Sequence, residues 1–125
     1  MNCPKIHTIL FDWDHTLAYT LEKSTSHIER MVVLFQQQGI NCTLEEVKAA
    51  RHDYLNDLAL GEVNGIVQPQ TRQDIMRLYK QLLQRMGYAR IGRDLTYRIY
   101  KSYGKLPTTM YDDVLPTLQA LQKQP

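Results

Sequence analysis

The chain has 125 residues, of which 43% are apolar, enough for a packed domain and too many for a disordered tail. A formal charge of +2 gives no bulk argument for nucleic acid, and no apolar run approaches the roughly 18 residues of a membrane span. The opening "MNCPKIHTILFDWD" lacks a long apolar core and a small-residue cleavage site, so it is no secretory signal and the expected setting is soluble and cytoplasmic.

In chain order, residues 5–11, "KIHTILF", predict a short buried strand, broken by acids at its end. Almost everything afterwards predicts helix. Ile28, Met31, Val32 and Phe35 recur at helical spacing, and Gly39 stops the pattern. Thr43 and Glu46 are spaced as a capping box, the threonine oxygen taking an orphan amide and the glutamate reaching back. The helix they start presents Val47, Ala50, Tyr54 and Leu58 on one face and ends at Gly61. Ile75, Leu78, Tyr79, Leu82 and Met86 make the next stripe, ended by Gly87, and Leu95, Ile99 and Tyr103 another, ended near Gly104. Their place on the stripes predicts core positions for Tyr79 and Tyr103. "YDDVLPTLQALQKQ" predicts a last helix, capped by Asp112 or Asp113, with Pro116 in its first turn, where a missing N–H costs little.

One strand and about five helices make an unbalanced set. A lone strand leaves both backbone edges unsatisfied, and parallel partners require strands that this pattern does not contain. Either the strand pairs with another chain, or the sequence ends before its fold is complete.

The chemistry concentrates in Asp12 and Asp14, two residues apart where the greasy run meets a turn. In a regular strand, residues i and i+2 share a face, and open parallel sheets bind ligands at the carboxyl ends of their strands. Two carboxylates converging there can hold Mg²⁺, which prefers oxygen ligands, or can divide nucleophile and proton-transfer roles in phosphoryl transfer. The bland alternative is that both aspartates are turn or cap residues, a role both favour.

"ILFDWDHTL" resembles the first signature of the haloacid-dehalogenase-like hydrolase superfamily: an apolar strand, then D-x-D-x-T-L. "YDDVLPTLQAL", Tyr111 to Leu121, is similar to the segment by which such proteins return from a helical cap to the core. The resemblance implies an α/β, Rossmann-like core with an inserted α-helical cap. Residues 1–17 and 107–125 would then be an incomplete core and residues 18–106 the cap, so this chain holds the first core strand, the cap and the return helix. Carried over, Asp12 is the nucleophile that forms an aspartyl-phosphate. Asp14 is the general acid and then the base, and Thr16 supports the turn. Mg²⁺ binds the Asp12 carboxylate and the Asp14 backbone carbonyl. The second aspartate implies a phosphatase or phosphotransferase rather than a dehalogenase, with a small phosphorylated metabolite as substrate. The cap of such a protein chooses that substrate.

The sequence departs from the superfamily in two places. His15 stands where members commonly have glycine, and a tight turn with positive φ suits glycine better. His15 therefore implies a slightly different loop, an imidazole near the leaving group, or an exposed tolerated residue. The later phosphate-binding Ser/Thr, lysine and acidic pair are also missing before Pro125, and Lys123 in a helix tail does not replace that lysine. Losing one electrostatic stabiliser commonly costs about 10²–10³ in rate, so the expectation is a truncated hydrolase, weak or inactive as this chain.

Residues 71–105 hold nine Lys/Arg against two Asp/Glu, with Tyr79, Tyr88, Tyr97, Tyr100 and Tyr103 among them. This stretch could steer an anionic substrate, could equally bind nucleic acid or an acidic partner, or could serve as the docking surface of a non-catalytic helical interaction module; a solvated helix face is the plain alternative. Nucleic acid and membrane are not expected partners. Cys3 and Cys42 have no metal spacing and read as reduced thiols, and His7, His27 and His52 have no ligand-like spacing.

Overall fold

A computed structural model describes residues 4–63 and 69–124. The chain divides into two compact units, one of Met1–Thr25 with Pro107–Pro125 and one of Ser26–Leu106. The described residues are mostly helical, with five helices and one two-stranded sheet.

Residues 26–106 hold four helices: α1 (His27–Gln37), α2 (Leu44–Ala59), α3 (Arg72–Arg85) and α4 (Arg93–Tyr103). Three start on hydroxyl caps that leave no doubt about their origin. Ser26, Thr43 and Thr71 accept from the N–H of Glu29, Glu46 and Asp74, satisfying one orphan donor each. The box expected at Thr43 is half formed, with no bond from the Thr43 N–H to Glu46 among its caps; the reciprocal box forms at Thr71, where the Asp74 carboxylate accepts from the Thr71 N–H. These bonds, with one from the Gln70 N–H and the Arg77 charge, outweigh the upward pull of desolvation and lower the Asp74 pKa. Gly39, Gly61 and Gly87 end the first three helices with positive φ, a backbone that costs glycine nothing.

Each of these helices packs on its sequence neighbour, and α4 closes back on α1. Leu34, Phe35, Val47, Leu82, Leu83 and Ile99 are fully buried at the centre. The Phe35 and Tyr79 rings meet edge to face at 5.9 Å and 85°. On α1 the buried face is turned from the predicted one: Arg30 and Leu34 are buried, while Ile28, Met31 and Val32 are half-buried. Arg30 donates to the Tyr103 hydroxyl at 3.0 Å. Tyr79 is in the core as expected, but Tyr103 is 41% exposed and is not a core residue. It sits on the last turn of α4, and its hydroxyl accepts from Arg30. Cys42 is buried, and burial followed by the nearby Glu46 charge pushes its thiol pKa up.

The other unit contains β1 (Ala18–Thr20), β2 (Thr108–Met110) and α5 (Val114–Gln122). The strands pair antiparallel, with Tyr19 opposite Thr109, and this short ribbon had no counterpart among the predicted elements. Thr20 and Thr108 bring their hydroxyls within 3.3 Å, and Tyr19 meets Tyr111 edge-on at 5.0 Å. Asp113 occupies the α5 N-cap position, yet its side chain makes no capping hydrogen bond; its carbonyl instead accepts from the Thr117 hydroxyl at 2.6 Å. Pro116 lies in the first turn of α5, as expected.

The predicted buried strand at 5–11 does not form. Those residues have no regular secondary structure and are exposed, Leu10 at 91%. Among the described residues no strand lies beside them to take their N–H and C=O groups.

Candidate functional site

Asp12 to Ala18 fold into a tight loop that feeds β1. The Trp13 carbonyl is its hub, accepting from the N–H groups of Thr16 at 3.3 Å, Leu17 at 3.0 Å and Ala18 at 3.1 Å. The His15 N–H returns to the Ala18 carbonyl at 2.8 Å, and Asp14 bridges Ala18. The Leu17 carbonyl then accepts from the Tyr111 N–H at 3.1 Å, which ties the loop to the segment following β2. The loop therefore rests on both runs of the chain that the sequence singled out, 9–17 and 111–121.

The hydroxyl of Thr16 donates to Asp12 Oδ2 at 3.3 Å, four residues back across the turn. Thr16 thus restrains the exposed Asp12 carboxylate, while Asp14 is half-buried. His15 adopts φ +58, inside the left-handed region, where a Cβ is strained although histidine, with asparagine and aspartate, is among the side chains found there more often. The sequence reading had marked this position for that reason. A second left-handed residue, Leu21 with φ +69, follows β1 and gives its N–H to the Pro107 carbonyl at 2.8 Å. Nothing in the sequence signals it, because leucine is a poor choice for that backbone.

A carboxylate and a peptide carbonyl are hard oxygen donors, and an exposed loop leaves space for water. That chemistry fits a hydrated Mg²⁺, which keeps several waters of its own. Among the described residues no three His, Cys, Asp or Glu side chains gather as a metal-holding group.

The basic stretch 71–105 resolves into a groove of about 810 Å³ along α3 and α4. Arg72, Arg77, Lys80 and Arg93 line it, with Asp94 the one acid among its lining residues. Tyr97 lies between two cations, Arg72 and Lys101, each 5.9 Å from its ring centre. The α4 N-terminus at Gly92 has no side-chain cap.

No protein-family model, curated protein or solved structure matches this chain.

Proposed function

We propose that the chain carries the nucleophile loop of an Mg²⁺-dependent phosphoester hydrolase of the haloacid-dehalogenase type, acting on a small phosphorylated metabolite. The observation that carries this reading is the Thr16 hydroxyl holding the Asp12 carboxylate in a loop closed on the Trp13 carbonyl, with Asp14 two residues on.

In this reading an Asp12 oxygen attacks phosphorus in line, the bond to the leaving oxygen breaks, and Asp12 carries an acyl phosphate. Asp14, protonated, gives its proton to the departing alkoxide. As a carboxylate it then takes a proton from water, whose oxygen attacks the same phosphorus and releases phosphate and a free Asp12. Mg²⁺, held by the Asp12 carboxylate and the Asp14 carbonyl, would neutralise phosphate charge. The helical cap expected at 18–106 would correspond to the unit Ser26–Leu106, with residues 18–25 falling in the other unit beside the core portion.

Covalent labelling tests this more directly than turnover, because it asks for the first step alone. The purified chain, incubated with labelled acetyl phosphate and Mg²⁺, should acquire a hydroxylamine-labile phosphoryl group. Asp12→Asn should abolish it. Asp14→Asn should retain the label and slow its loss by about 10²–10⁴-fold. Labelling that survives in Asp12→Asn removes the reading.

A second reading has its own observation. Four cations around one groove, with Tyr97 clamped between Arg72 and Lys101, suit a docking surface for an acidic protein partner. Its affinity would fall steeply with salt, and Asp12→Asn would not alter it.

A further inference from the structure

The helical unit contains a second cavity, of about 780 Å³, within the size range of small-molecule sites. Its walls are mainly apolar, with Met31 from α1, Leu55 from α2, and Ile75 and Leu78 from α3. This explains the turned face of α1: its half-buried side chains border a space instead of a packed neighbour.

Two polar groups set this cavity apart from a packing defect. Tyr54 and Tyr79 both line it and are only 3% and 5% exposed. Among the described residues, neither hydroxyl has a hydrogen-bond partner. Neither belongs to the sealed polar atoms of the fold, so both open to the cavity. A phenol facing the cavity can donate to a ligand acceptor seated there.

The rings carrying these hydroxyls are held in place. The Tyr54 ring lies 5.7 Å from the Arg85 guanidinium, which is itself paired to Asp57 at 2.5 Å. The Tyr79 ring is fixed by its edge contact with Phe35. Two donors on rigid supports are prepared for an acceptor before it arrives.

The charge at the cavity has one sign. Arg51 on α2 lines it, and no Asp or Glu does so among the described residues. An anionic head would gain both the guanidinium and the phenolic donors, and an apolar body would fill the rest.

We propose that this cavity binds a small amphipathic organic acid, its acidic group on Arg51 and the Tyr54 and Tyr79 hydroxyls and its aromatic or aliphatic body against Met31, Ile75 and Leu78. The site is independent of the Asp12 loop and of the basic groove on α3 and α4.

Calorimetric titration of the full chain with 2-naphthoate and with its neutral amide tests this. The acid should bind saturably at one site, about tenfold more tightly than the amide. Arg51→Gln should abolish that preference. Tyr54→Phe and Tyr79→Phe should each weaken the acid about fivefold. Ile75→Trp, filling the cavity, should eliminate binding in protein whose circular dichroism is unchanged.

Absence of saturable binding, equal affinity for acid and amide, or binding that persists in folded Ile75→Trp overturns the proposal. If Ile75→Trp does not fold, the Tyr54→Phe/Tyr79→Phe double variant decides, since it removes only two oxygens, and unchanged affinity then overturns the proposal. None of these residues belongs to the Asp12 loop, so the phosphoryl-labelling assay remains a separate measurement.

Discussion

Replacing Phe35 by alanine should remove a large part of the stability of the helical unit. Phe35 is completely buried on α1 and its ring meets Tyr79 of α3 edge to face. Truncation removes on the order of 150 Å² of buried apolar surface, which at ~25 cal/mol per Å² is about 4 kcal/mol. Phe→Ala changes in cores commonly cost about 3–5 kcal/mol, the cavity left behind included. The unit spans Ser26–Leu106, and a domain of that size has about 4–12 kcal/mol in total. The ring pair, at 5.9 Å and 85°, falls within the geometry worth about 0.5–1.5 kcal/mol beyond area. A double-mutant cycle of Phe35→Ala and Tyr79→Leu, read by urea unfolding at 222 nm, should recover that coupling. A Phe35→Ala cost under about 1 kcal/mol, the level of an average substitution, would refute the packing described for α1 and α3. Strict additivity in the cycle would refute the ring contact.

Two further outcomes are expected. His15→Gly should stabilise the Asp12 loop by about 1 kcal/mol, because a left-handed backbone penalises a Cβ, and His15→Val should loosen it. Amide exchange at Tyr111, whose N–H rests on the Leu17 carbonyl, reports both; equal rates in the two variants would show that the turn does not demand that backbone. Tyr79 should be the last tyrosine to ionise, since burial, then the neighbouring Tyr103 and Tyr100, push its pKa up to about 12. The unfolded chain loses this proton near pH 10, so the contribution of roughly 2–3 kcal/mol is complete below pH 10 and disappears as pH rises towards 12. Tyr79→Phe should make the alkaline unfolding curve shallower across that window. A curve of unchanged slope would contradict the environment assigned to that phenol.

The helices were legible in the sequence because their signals are local. Thr43, the apolar spacing of α2 to α4 and the glycines at 39, 61 and 87 act within a turn or two, through amide capping and a backbone that glycine adopts without strain. The D-x-D-x-T spacing was legible in the same way. Thr16 reaches Asp12 through four residues of chain, and the difficulty with His15 follows from its Cβ alone.

What depended on distant partners could not be read. Burial of 5–11 needs neighbouring strands, and without them among the described residues the apolar run lies in water. The β1–β2 ribbon joins segments about 90 residues apart, each too short and too polar to announce a strand. Arg30 went inside because α4 brings the Tyr103 hydroxyl to its guanidinium. The cavity beneath Tyr54 and Tyr79 exists because four helices leave a space that no single stripe of residues describes. Capping and backbone strain are properties of a short segment and travel with the sequence; burial, pairing and cavities belong to the assembled chain, and only the tertiary structure decided them.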